Sequence, residues 1–406
     1  MKRFYILVLV ALFVGATVSA QEVTKKEAEK ESTEARLAKL EKRIATQEKL
    51  RQYFHVSGFI QGMYEWHDAI NKDNTTDISS FSVRRARLTL AGDLYKGKAG
   101  KLDYKFYFDI ARVPKNPILD MWIKYQPCKE FGIQFGQFKN PVTFEASISP
   151  SKYDFIDFSY AVSNLAKMGK HDVAGLDVTA RDIGFMFLGG FLHRDGYSII
   201  NYHVGVLNGS GINEKDNNKS KDIFGRLTIN PLKDFALTAY YQWGEANLSR
   251  YDDAHLLAEY GWSGNSKYVA MQRWGGGFNY DSKKAFARGE YIVGLTGSLI
   301  SEGVYVEAGK RFNLPKNAGM LWAGGMVDYF CRDCIDYVKR DTKSTAIDMR
   351  YSICVGYTPI KYLRMQLAYS LEHRINHDFS NTPVCCGWQG NRKFGNGIKL
   401  LVTALF

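Results

Sequence analysis

The stretch Gly397–Ile398–Lys399–Leu400–Leu401–Val402–Thr403–Ala404–Leu405–Phe406 ends the chain and decides how the rest is read. With the two-residue repeat of a strand, Ile398, Leu400, Val402, Ala404 and Phe406 share one face. Gly397, Lys399, Leu401, Thr403 and Leu405 share the other. The first face is wholly apolar and ends in an aromatic ring, while the second mixes polar and apolar groups. A strand with lipid outside and a lumen inside has this pattern. An edge strand of a soluble sandwich has it too, so the other segments must decide.

They repeat the pattern. Tyr104, Phe106, Phe108 and Ile110 alternate with Asp103, Lys105, Tyr107 and Asp109. Phe235–Trp243, Ile347–Tyr357 and Leu363–Leu371 alternate in the same way, with aromatics towards the ends of the apolar faces, as in the girdles at two membrane interfaces. Short turns fall at Tyr95–Gly100, Gln126–Glu130, His193–Gly196, Asn230–Asp234, Asp281–Lys284, Asn313–Asn317 and Thr358–Lys361. Longer polar connections fall between them, among them His67–Ser79, Lys139–Ala180, Ala246–Met271, Thr296–Glu302, Cys331–Thr345 and His373–Gly395. The fold expected is all-β, an antiparallel transmembrane barrel of about sixteen strands over residues 53–406, wide enough for an aqueous lumen. The terminal stretch then closes the barrel against Tyr53–Trp66, and Phe406 sits where assembly machinery is expected to read it.

Met1–Ala20 reads as an export signal: Lys2 and Arg3, an apolar run Ile6–Val14, and a small-residue site at Val18–Ser19–Ala20. Its removal takes the formal charge from +12 to +10. No long apolar run remains, which excludes membrane-spanning helices but not a barrel. Residues 21–52 are charged and free of Gly and Pro, and Leu37, Leu40 and Ile44 have coiled-coil spacing. They read either as a charged, partly helical linker or as a short periplasmic oligomerisation stalk.

Alternation points Arg85, Arg87, Lys105, Lys124, Arg226, Arg273, Arg288, Arg311, Arg350, Arg364 and Lys399 inward, together with acids such as Asp103, Asp109, Asp120, Glu290, Glu307 and Glu372. The expected lumen is mixed and slightly basic, which fits either anion preference or little selectivity. Arg84 points outward by strict alternation; either a bulge brings it in or it snorkels at the interface. The aromatic-rich Ser149–Phe158 suits a loop, residues 139–180, folded into the lumen.

Ser82–Leu88 followed by Ala91–Gly92, then Tyr107–Phe108–Asp109 and Gly136–Gln137–Phe138–Lys139–Asn140–Pro141, resembles the phosphate-selective porin O and P family. The resemblance implies a trimeric anion channel of the bacterial outer membrane, embedded in its lipid, with a basic constriction passing small anions such as phosphate. It implies that Arg84 and Arg85 are the paired arginines of that site, Asp109 its acidic member, and Ser151 with Lys152 the Ser-Lys pair of the inward loop. Arg87 stands where an aromatic is expected. The alternatives kept open are a general diffusion or oligosaccharide porin and a non-conducting barrel.

No cofactor, metal spacing, catalytic set or nucleic-acid patch declares itself, so the expectation is a non-enzyme. Cys331, Cys334, Cys385 and Cys386 lie in the last two long connections and suggest loop disulfides of unassigned pairing.

Overall fold

The computed structural model describes residues 33–68, 78–113, 116–166, 180–218, 220–247, 268–332, 347–375 and 394–406. The export signal, the first part of the spacer, residues 167–179, Cys334, Cys385 and Cys386 lie outside them. The chain divides into two units, Met1–Phe54 and His55–Phe406. The described part of the first is a helix, α1 (Thr33–Tyr53), whose Leu37, Leu40 and Ile44 are exposed.

The second unit is a closed antiparallel barrel of sixteen strands. In order these are β1 (His55–His67), β2 (Ile78–Gly97), β3 (Gly100–Asp109), β4 (Ile118–Gln126), β5 (Gly132–Lys139), β6 (Arg181–Arg194), β7 (Tyr197–Leu207) and β8 (Asp222–Leu232). There follow β9 (Phe235–Asn247), β10 (Tyr268–Asp281), β11 (Ala285–Thr296), β12 (Leu299–Asn313), β13 (Met320–Cys331), β14 (Ile347–Ile360), β15 (Leu363–Ile375) and β16 (Phe394–Leu405). Each strand pairs with its sequence neighbours, and β16 pairs with β1 from Phe59↔Leu405 to His67↔Gly397. Closure leaves no open sheet edge, which a sheet in lipid requires.

The closing strand keeps its two faces. Leu401 and Thr403 are 1% and 0% exposed, whereas Leu400 and Val402 are 41% and 38% exposed. Phe406 extends the pairing by one residue through backbone bonds to and from Gly58 (3.0 and 2.9 Å). A Cβ at Gly58 would lie 2.6 Å from the Phe406 ring, so a side chain there would displace it.

Two expected features differ. The connection expected at Thr296–Glu302 is a tight hairpin: β11 runs to Thr296, β12 starts at Leu299, and Gly297 takes the positive φ of 60° that a two-residue turn needs. Cys331 is the buried last residue of β13 rather than a loop residue.

The connection after β5 turns into the barrel. It carries two short helices, α2 (Phe144–Ser147) and α3 (Tyr160–Leu165). Val142, Ala146, Ala161, Val162 and Leu165 share an apolar cluster with Met271, Tyr305 and Phe330 of the wall. Tyr153 and Phe155 pack with Phe286, Trp322 and Met326. Glycines of the wall make room for α3: a Cβ at Gly303 would lie 2.6 Å from the Ala161 Cβ, and one at Gly294 would lie 2.7 Å from Leu165. Tyr153 and Phe155 are thus buried against the barrel, and Phe158 partly so, which removes apolar surface from water.

Candidate functional site

The inward arginines of β8, β10–β12, β14 and β15 hold this loop. Asp154 accepts from Arg288, from Arg311 Nη2 at 3.1 Å and from Arg364 Nη2 at 3.3 Å. Arg350 Nη2 donates to the Phe158 carbonyl (2.6 Å) and to Asp328 (2.8 Å). Arg226 Nη1 reaches the Pro141 carbonyl at 3.0 Å, and Arg273 Nε reaches that of Leu165 at 3.1 Å. These residues were expected among the groups lining the lumen. They do face inward, but the loop takes up their donors, because a buried backbone turn needs partners for its carbonyls.

Wall carboxylates complete the attachment. Glu290 accepts from the Phe144 and Glu145 amides (2.6 and 2.8 Å), and Asp328 accepts from the Tyr160 amide (2.7 Å). Both short helices therefore begin on a carboxylate, where free N–H groups favour an acceptor. Glu145 is buried and accepts from Ser159 N (3.1 Å) and Ser159 Oγ (2.6 Å). It also meets the Tyr153 hydroxyl, which lies 2.9 Å from Glu307 Oε2. The one phenolic proton is thus shared between two carboxylates, of which Glu307 also has Arg288 Nε at 2.9 Å. Burial, with Glu307 beside it, pushes the Glu145 carboxyl up to about 8.

The loop tip then crosses towards β16, β1 and β2. Gln61 Nε2 donates to the Pro150 carbonyl (3.3 Å), and Asp157 accepts from Arg84 Nη2 and Lys399 Nζ at 2.7 Å each. Burial alone would raise the Asp157 pKa; Lys399 and Arg84 outweigh it and hold the carboxyl well below its usual range.

The arginine run of β2 is shaped by a bulge. Gln61 faces Arg85 and Gly62 faces Val83, which leaves Arg84 as the extra residue. The bulge turns Arg84 to the same side as Arg85, so two consecutive arginines point inward. Arg85 Nη1 donates to Gln61 Oε1 at 3.0 Å, a neutral acceptor. Arg87 Nε donates to Asp109 Oδ2 at 2.9 Å, and the Ala86 amide to Asp109 Oδ1 at 3.1 Å.

The structure thus brings Arg84, Arg85 and Ser151 together across Gln61 and Pro150, with a division of acids that the resemblance did not imply. Asp109 holds Arg87, whereas the acid on Arg84 is Asp157. Ser151 is buried, with Ser149 Oγ 3.0 Å from its hydroxyl and its carbonyl accepting from Arg364 (3.1 Å). Lys152 is exposed. Facing the tip are Lys105 and Arg181, each 2.7 Å from Asp120, and Lys139, whose Nζ lies 3.5 Å from the Ile148 carbonyl. Arg181, Lys139 and Asp157 went unrecognised as site residues. Arg181 opens a strand right after a long loop, where the alternation has no reference, and Asp157 finds its partners only when the loop folds inward.

A profile of the family described as phosphate-selective porin O and P matches residues 54–294. The chain belongs to this family. Solved structures share the porin's fold. The anion-selective porin from Comamonas acidovorans aligns with a TM-score of 0.59 at 11% identity, covering 87% of this chain and 99% of that one. OprB of Pseudomonas putida aligns with a TM-score of 0.58 at 11% identity, covering 89% and 96%. The trimer form of OmpT of Vibrio cholerae aligns with a TM-score of 0.53 at 13% identity, covering 87% and 100%. A search of curated proteins finds no match. Family and fold make this porin a channel of the bacterial outer membrane rather than an enzyme.

Proposed function

We propose that the porin passes small anions, phosphate among them, by passive diffusion through the gap between the loop tip and the wall of β2–β6. One observation carries the reading. Among the described residues, Arg85, Lys139 and Lys152 make no ion pair with a carboxylate, and all three border or flank the tip. An anion can exchange water for their charge-assisted donors. Arg84, Arg87, Lys105 and Arg181, each shared with an acid, add field without binding tightly enough to block release. Ser151 stands in the loop wall, and Asp109 fixes Arg87.

The test is the reversal potential in planar bilayers under a chloride gradient. Arg85→Ala is expected to cut the anion-to-cation permeability ratio by about threefold or more, and adding Lys152→Ala to bring it near unity. An unchanged ratio in the double variant would refute the reading.

We further propose that α1 assembles a homotrimer through Leu37, Leu40 and Ile44, which are exposed in the single chain. Replacing all three by Ser is expected to convert crosslinked trimers into monomers in mild detergent. Persistence of the trimer would assign assembly to the barrel alone. Phe406, exposed at the end of the closing strand, is proposed as the mark that assembly machinery reads.

A further inference from the structure

Beside the loop tip, towards the first residues of β1, a cavity of about 390 Å³ opens into the lumen. Its walls differ in chemistry. One carries Lys105, Lys139 and Arg181 with a single acid, Asp120, lying between two of them. The rest mixes apolar groups, Phe59 and Leu405 from the barrel and Ile148 from the tip, with the hydroxyls of Ser57, Thr89, Ser147, Ser149 and Ser151. Tyr107 packs with Phe59 and Leu405, and Lys105 Nζ lies 4.8 Å and the Arg181 guanidinium carbon 5.7 Å from its ring centroid.

Among the lining residues three basic side chains face one carboxylate, which suits an anionic solute. Among the described residues Lys139 makes no ion pair; its Nζ lies 3.5 Å from the Ile148 carbonyl and 5.8 Å from the Phe158 ring centroid. A solute that places a carboxylate at Lys139 therefore lays its body along Ile148, Leu405 and Phe59. A compact, fully hydrated anion satisfies the cations but leaves that wall facing water.

We propose that this cavity selects carboxylates carrying an apolar body, aromatic acids above all, over inorganic anions. The proposal rests on the anion-channel reading given above. Burial of roughly 55 Å² of solute surface corresponds to about a tenfold preference.

The experiment measures block of chloride current through single porins by benzoate, acetate and phosphate at fixed ionic strength and pH. Benzoate is expected to half-block at about one-tenth the concentration of acetate, and below that of phosphate. Ile148→Ser is expected to bring the benzoate-to-acetate ratio close to one, whereas Ile148→Val keeps it. Equal block by benzoate and acetate, stronger block by phosphate, or an unchanged ratio in Ile148→Ser overturns the proposal. Each variant's chloride conductance reports that it has folded and inserted. A reversal potential showing no anion preference in the unaltered porin sinks the wider reading and this inference with it. Anion preference without benzoate preference sinks only this one.

Discussion

Replacing Asp154 by alanine is expected to raise single-channel conductance severalfold while the barrel stays intact. Asp154 lies on the loop and takes up Arg288, Arg311 and Arg364 from three different strands. Arg288 and Arg364 are themselves buried. Removing the shared acid leaves Arg364 without its carboxylate and Arg288 and Arg311 with only Glu307 and Asp281, and breaking a buried pair on one side costs about 3–5 kcal/mol. The barrel holds its own ladder from β1 round to β16 and does not need the loop for closure. The loop does need the acid: its remaining ties here are backbone carbonyls taken by Gln366, Trp322 and Arg364. The stable response is release of the segment around Asp154, which lets water reach the arginines and widens the passage. Asp154→Asn, which keeps an acceptor but loses the charge, is expected to give a smaller increase. Single-channel recording in the same salt decides. Unchanged conductance in Asp154→Ala, with normal heat-dependent gel migration showing a folded barrel, would mean that the loop is held without this acid.

How far the sequence leads can be traced through particular residues. Strand alternation carries the barrel because lipid and lumen impose a period of two on each spanning segment. That regularity made the closing strand and its partner readable. The same rule put Arg84 outside, because alternation cannot foresee a bulge. The two-residue turn at Gly297–Ser298 is hidden by the polar residues after it, Ser301 on the lumen face of β12 and Glu302 on its outer face. The inward arginines were found, but their purpose was not. Whether Arg288 faces solute or a loop depends on where Asp154 lands, and Asp154 is 134 residues away in the chain. Lys139 was visible as part of a motif. Its lack of an acid partner is a property of the folded loop alone.

The second large effect follows from the protons held under the loop. Conductance is expected to rise, and gating to become noisier, as pH is raised from about 5 to about 9. Glu145 is buried between the Ser159 hydroxyl, the Tyr153 hydroxyl and the carboxylates of Glu307 and Glu290, with Arg288 against the Tyr153 ring. Burial first, and Glu307 second, raise its pKa from the model-compound value of 4.5 to about 8. Once the loop is released, the carboxyl sits in water and recovers its ordinary pKa. A group whose pKa is raised in the docked state favours docking most when it is protonated in both states, below the ordinary carboxylate range. That contribution falls as pH climbs, by about 1.4 kcal/mol per pH unit, and is gone once pH passes the docked value near 8. Docking is therefore strongest in acid and weakest in alkali, the reverse of a loop held by ionised acids alone. Asp157 cannot produce this trend: Arg84 and Lys399 keep its pKa well below the usual range, so its attachment weakens only in strong acid. Glu145→Gln keeps the shape of the side chain and removes the proton, so its conductance is expected to stay flat over the same range. Matching pH profiles for Glu145→Gln and the unaltered porin, recorded at constant salt, would exclude Glu145 as the group that loosens the loop.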